Sequence, residues 1–115
     1  MGRAENEIQK DILAWLKAHG VLAWRNNNRP RKGTIFLGKK GLGDIIGVLP
    51  CSAFLSIEVK TKDGRLSAEQ KEFIDIVTAC GGKAFLARSV PEVAFELKKC
   101  ITCSNKKTSN NGVEC

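Results

Sequence analysis

The sequence predicts an α/β domain in which a helix comes first, strands follow, and a second helix leads back to a further strand. Three observations carry that prediction. Ile8, Ile12, Leu13, Trp15 and Leu16 cluster on one side of a helical wheel, and Gly20 supplies a stop. Two short runs at 44–49 and 53–61 read as strands, the first closed by Pro50 and the second by the turn Lys62-Asp63-Gly64-Arg65. Helical spacing returns at 67–79, with Phe73, Ile74 and Val77 directed inward and Gly81-Gly82 ending the run.

Taken in order, residues 4–18 form the first helix. Glu5 falls along the middle of its apolar side, and Glu7 points almost opposite, toward solvent with Lys10 and Asp11. A carboxylate on an inward stripe needs a partner to offset its desolvation, so the two acids are not equivalent. Residues 21–24 are a short strand candidate, and Thr34-Ile35-Phe36-Leu37 is another. Residues 83–87 form the last strand. Ser89-Val90-Pro91-Glu92 opens a final helix through Lys98, with Pro91 early in its first turn. A single domain is expected over 1–99. The polar remainder, 100–115, reads as a flexible tail.

The chain has 115 residues, 19 Lys+Arg against 12 Asp+Glu, and a net charge of +7. That size suits one domain. The longest apolar stretch is far short of the ~20 residues that span a bilayer, so no membrane association is expected. The N-terminus lacks the apolar core of a signal peptide, which suggests a cytosolic protein. Five cysteines, an odd number, then imply reduced thiols, with Cys51 and Cys80 in the core. Cys100-x-x-Cys103 with Cys115 is a weak zinc pattern, because a structural site wants four ligands and the one histidine, His19, lies in the first helix.

The charge is unevenly placed. No acidic residue falls between Asp11 and Asp44, where Arg25, Arg29, Arg31, Lys32, Lys39 and Lys40 gather with Asn26, Asn27 and Asn28. One reading is a solvated loop. The other is an arm that tracks phosphates, which would make nucleic acid the partner.

In Ile57-Glu58-Val59-Lys60 the strand period puts Glu58 and Lys60 on one face and Ile57 and Val59 on the other. Alone, such a pair reads as a solvated strand face. Asp44, directly after Gly41-Leu42-Gly43, strengthens it, because adjacent strands can bring Asp44 and Glu58 to one ion. Hydrolysis of a phosphodiester needs a cation on the phosphate, a polarised water and stabilisation of the leaving oxygen. Two carboxylates offer hard oxygen ligands suited to Mg²⁺ or Mn²⁺. Lys60 can orient water and offset developing charge. The glycines before Asp44 are expected to leave room for a sugar-phosphate chain.

Asp44, the Glu58-Val59-Lys60 run and the α-β-β-β-α-β order resemble the PD-(D/E)xK (restriction-endonuclease-like) nuclease superfamily. More narrowly, Glu5-x-x-Ile8-Gln9, Lys40-Gly41-x-Gly43-Asp44-Ile45-x-Gly47, Ile57-Glu58-Val59-Lys60-Thr61 and Gly64-Arg65-Leu66-Ser67-x-x-Gln70 are similar to the VRR-NUC (virus-type replication-repair nuclease) branch, over about residues 5–98. The resemblance implies a central mixed sheet flanked by helices. It implies metal binding by Asp44, Glu58 and the Val59 carbonyl, with Lys60 as the catalytic lysine. The family's helix-one acid falls on Glu5, which helical phase favours over Glu7, and its glutamine falls on Gln70. Ser67-Ala-Glu-Gln70 is equally a capping box, and the two roles are compatible.

Small stand-alone members look like phage enzymes that process branched DNA such as Holliday junctions. A two-fold junction presents two equivalent strands, so a homodimer is expected. A non-catalytic basic nucleic-acid-binding protein would explain the charge but not the grouping of Asp44, Glu58 and Lys60. A restriction-type endonuclease subunit shares the chemistry but needs sequence-reading elements.

Overall fold

The computed structural model describes residues 4–26 and 40–103. The elements are α1 (Glu5–Ala18), β1 (Leu22–Arg25), β2 (Ile45–Val48), β3 (Phe54–Val59), α2 (Ala68–Ala79), β4 (Lys83–Ala87) and α3 (Val90–Cys103). The strands lie in the order β1-β2-β3-β4, antiparallel across the first two pairings and parallel between β3 and β4. The parallel step requires a crossover, which α2 provides. This is the mixed sheet between helices that the sequence predicts. The strand candidate at 34–37 lies outside the described residues, as do Arg29, Arg31, Lys32 and Lys39.

Alternation divides the sheet into two unlike faces. Ile45, Leu55, Ile57, Val59, Phe85 and Ala87 turn toward Ile8, Ile12 and Leu16 of α1 and Val93, Leu97 and Cys100 of α3, forming the core. Phe54, Ser56 and Glu58 turn the other way. There α2 packs on β4 and β3, with the Phe73 ring edge-on to Phe54 at 6.5 Å. Leu22, Val48 and Phe54 are paired across three strands on that second face, and Trp24 stands one strand step along. All four are exposed, Leu22 at 65% and Trp24 at 49%.

Residues 49–53 join β2 to β3, and Pro50-Cys51-Ser52 form the three-residue loop at their centre. It is closed by Leu49 N–H to the Ala53 carbonyl at 2.9 Å and Ser52 N–H to the Leu49 carbonyl at 2.8 Å. Ser52 takes the left-handed conformation, φ 80°, as a hairpin of this length requires.

Three expectations change. The last helix continues to Cys103, because Val93, Leu97 and Cys100 extend one apolar stripe at helical spacing and all three are fully buried. Cys51 is disulfide-bonded rather than reduced and is only partly buried against the core. Cys80 is a free, exposed thiol, since it caps α2 beyond the packed residues. Among the described residues, no helix is long and apolar enough to cross a membrane.

Candidate active site

Asp44 sits one residue before β2 and extends its ladder: its N–H donates to the Ile57 carbonyl at 2.9 Å and its carbonyl accepts from Asn26 N–H at 2.7 Å. With Ile45 paired to Ile57, this continuation sets Asp44 opposite Glu58, on the face away from α1 and α3. The Asp44 Oδ2 accepts the Val59 N–H at 2.8 Å. A strand register and one side-chain bond thus fix two acids next to each other.

The two acids sit in unlike environments. Glu58 is 5% exposed, and its Oε1 is buried with no hydrogen-bond partner. Its carboxyl is raised from the usual 4.5 to about 8, chiefly by burial. The Asp44 charge, and a hydrogen bond that only the protonated form can donate to Asp44, act in the same direction, while Lys60 opposes them. The Lys60 Nζ stands 3.6 Å from Glu58 Oε2. An orphaned carboxylate oxygen beside a second carboxylate fits a hard divalent ion. Val59 has an aliphatic side chain, so its backbone carbonyl is the group it could add. Among the described residues, no group of three or more His, Cys, Asp or Glu side chains gathers for a metal.

Glu5 does not join the pair. It is exposed, because it opens α1 and the inward stripe acquires core contacts only from Ile8 onward; helical phase gives direction, not depth. Glu7 is exposed as well, and Gln9 is the buried polar residue of this helix. Gln70 completes the capping box: its Oε1 accepts the Ser67 N–H at 2.8 Å, and its own N–H donates to Ser67 Oγ at 3.1 Å.

The glycines before Asp44 serve protein packing rather than space for a substrate. Gly41 has φ +86°, and a Cβ there would meet the Glu69 carbonyl oxygen at 2.4 Å. A Cβ on Gly43 would meet Ser56 Oγ at 2.6 Å, the hydroxyl that accepts the Gly43 N–H at 3.1 Å. The loop into Asp44 is therefore pressed between α2 and β3. Ser56, buried and two residues before Glu58 on the same face, is a site-supporting residue with a legible signal, its strand phase. Asn26 also serves this loop, donating from Nδ2 to the Gly43 carbonyl at 3.1 Å.

Of the basic residues, Lys40 is exposed at the entry to this loop. Arg25 instead turns to the α1 side, where its Nη2 donates to the Asn6 carbonyl at 3.3 Å. This brings the first turn of α1 to the Asp44 end of the sheet.

The VRR-NUC domain family model matches residues 3–91, a span that contains α1, the whole sheet, Asp44, Glu58 and Lys60. A solved "VRR_NUC domain protein" superposes with a TM-score of 0.65 at 22% identity, over 100% of this chain and 98% of that one. No curated protein matches the chain. With the family matched over most of its length and the fold shared from end to end, the chain belongs to the VRR-NUC family and has its nuclease-type fold.

Proposed function

We propose that the protein is a metal-dependent, structure-selective DNA endonuclease that hydrolyses phosphodiester bonds in branched DNA such as Holliday junctions. The observation that carries this reading is the buried Glu58 beside the half-buried Asp44, with an unpartnered Glu58 Oε1 and Lys60 at 3.6 Å. In a protein without enzymatic work to do, a buried acid set against a half-buried one costs stability and disfavours the DNA that the net charge attracts.

Asp44, Glu58 and the Val59 carbonyl would hold a Mg²⁺ or Mn²⁺ ion, whose charge binds the scissile phosphate and makes water acidic enough to attack. Lys60 presents an ammonium beside the pair, where it orients the attacking water and offsets charge developing on the phosphate. The Val59 N–H holds the Asp44 carboxylate in one orientation, so Asp44 reaches its task without reorganising. Gln70, anchored by its oxygen in the cap, has its amide nitrogen left to steady the substrate. Glu5, exposed at the sheet end that carries Asp44, acts from the substrate side. Lys40, with Arg29, Arg31, Lys32 and Lys39, tracks the backbone of the DNA. Arg25 supports the arm from its base by holding α1.

A homodimer suits this substrate. The exposed face of Leu22, Trp24, Val48 and Phe54 is an apolar surface in an otherwise basic protein, and pairing two such faces would cover both.

The test is cleavage of linear duplex, flap and four-way junction DNA with Mg²⁺ or Mn²⁺, by the unmutated chain and by Lys60→Ala. Metal-dependent cutting that prefers the junction and disappears in Lys60→Ala supports the reading. Tight binding with no cutting by the unmutated protein overturns it, leaving a DNA-binding protein.

A further inference from the structure

The residue after β4, Arg88, has an arrangement that the chemistry above does not use. Its Nη1 donates to the carbonyls of Thr61, of Lys62 at 3.2 Å and of Gly64 at 2.9 Å. One nitrogen with two hydrogens thus serves three acceptors. The three carbonyls converge because the chain turns there, with Gly64 N–H closing onto the Thr61 carbonyl at 3.0 Å. Converging carbonyl dipoles repel one another unless a cation with several donors sits at their focus, and a planar guanidinium fits that role better than an ammonium. Arg88 is itself held, its backbone N–H donating to Glu92 Oε1 at 2.8 Å in the first turn of α3.

The turn gathered by Arg88 begins directly after Lys60 and folds back on it. A Cβ on Gly64 would stand 3.0 Å from both Cβ and Cδ of Lys60, so the Gly64 backbone lies against the lysine's methylenes. On the other side, the Lys60 N–H donates to the carbonyl of Ala87, the residue before Arg88, at 3.2 Å. Lys60 is therefore fixed at its backbone by the end of β4 and along its side chain by a turn that the next residue of the same strand end holds in place.

We infer that Arg88 is a positioning residue for Lys60: by gathering the Thr61, Lys62 and Gly64 carbonyls, it sets the wall that directs the Lys60 ammonium toward Glu58. This rests on the reading of Lys60 as the catalytic lysine. Arg88 touches neither substrate nor metal in this scheme. Its removal should change how well the ammonium is placed and leave DNA binding intact.

The experiment compares the full chain with Arg88→Met, Arg88→Lys and a core variant, Val93→Ala, that lowers stability without touching this turn. Single-turnover cleavage at saturating DNA should fall about tenfold or more in Arg88→Met, less in Arg88→Lys and little in Val93→Ala assayed while folded. DNA affinity should stay within about twofold in all of them, a loss in the chemical step alone. A second readout needs no activity: with ¹³C-labelled lysine, the Lys60 ε-carbon resonance should move in Arg88→Met while other lysines stay put. If the unmutated protein does not cut, the endonuclease reading falls, and the Lys60 resonance still decides the positioning claim. An Arg88→Met protein with an unchanged Lys60 resonance, or one that cuts at the unmutated rate, overturns the inference.

Discussion

Val59 donates its backbone N–H to Asp44 Oδ2 at 2.8 Å, so the chain just past Glu58 is tied to the acid that precedes β2. This bond separates two roles of Asp44. Asp44→Asn keeps an oxygen that can accept from Val59, and it should fold with nearly unchanged stability while cutting drops by about a hundredfold or more through loss of a charged ligand. Asp44→Ala should lose the same activity and also about 1 kcal/mol of stability, because a partly buried N–H is left unpaired. Urea denaturation and cleavage rates measured on both variants check this; an Asp44→Asn protein that cuts normally would remove Asp44 from the ligand set.

Glu58 makes the protein's stability depend on pH in an unusual direction for a carboxylate. Its folded value, about 8, lies above the ordinary 4.5. Between these two values the folded chain keeps a proton that the unfolded chain has released. Stability in metal-free buffer should therefore fall as pH rises through that window. Glu58→Gln should flatten this part of the curve and denature later than the unmutated protein at its alkaline end. Saturating Mn²⁺ should restore the unmutated protein there and have no such effect on the variant. Denaturation midpoints across the window, with and without metal, give the answer.

Gly20, Gly41 and Gly43 separate conformational need from steric need. Gly20, at φ +75°, has nothing within 4 Å of where a Cβ would stand, so Gly20→Ala should cost about 1 kcal/mol from backbone strain alone. Gly41→Ala adds a clash with the Glu69 backbone to a φ of +86°, and Gly43→Ala drives a methyl into Ser56 and the Ile57 carbonyl. Each should cost about 1–3 kcal/mol or more and slow cleavage as well, because the loop they shape ends at Asp44. Thermal melts with parallel cleavage assays would show whether Gly20→Ala, unlike the other two, leaves activity intact.

The capping box of α2 can be dissected in the same way. Ser67→Ala removes an N-cap acceptor and should cost about 1 kcal/mol. Gln70→Ala removes the reciprocal bond to the Ser67 N–H. If Gln70 also steadies the substrate, its variant should lose far more activity than its stability loss explains, and Ser67→Ala should not. Equal activities at matched stability would leave Gln70 as a cap alone.

Much of this architecture is legible in the sequence because it follows from local periodicity. Alternation in 53–61 separates Ile57 and Val59 from Glu58 and Lys60, and the structure gives them the two faces so assigned. Asp44 opposite Glu58 needs one further assumption, that β2 and β3 pair as neighbours, and a short connection at Pro50 makes that natural. Where depth rather than phase matters, the pattern misleads: Glu5 has the right azimuth but stands beyond the core. Cys100 reads as tail because polar neighbours mask a stripe begun at Val93. Arg88 is invisible for a different reason. Its three acceptors are backbone carbonyls more than twenty residues away, and backbone groups leave no trace in residue identities.

The Pro50-Cys51-Ser52 connection has a consequence for how this chain can vary. Because side chains alternate, a slip of one residue between β2 and β3 would send Glu58 into the α1–α3 core and bring Ile57 or Val59 out beside Asp44. Insertional tolerance should therefore be divided by a sharp boundary. Extra residues confined between Leu49 and Ala53 leave the pairing intact and can be absorbed, whereas a single residue added within either strand abolishes the acid pair and the core together. In this protein the turn can lengthen around Cys51, and the count of residues from Asp44 to Val48 and from Phe54 to Glu58 is what variation must preserve.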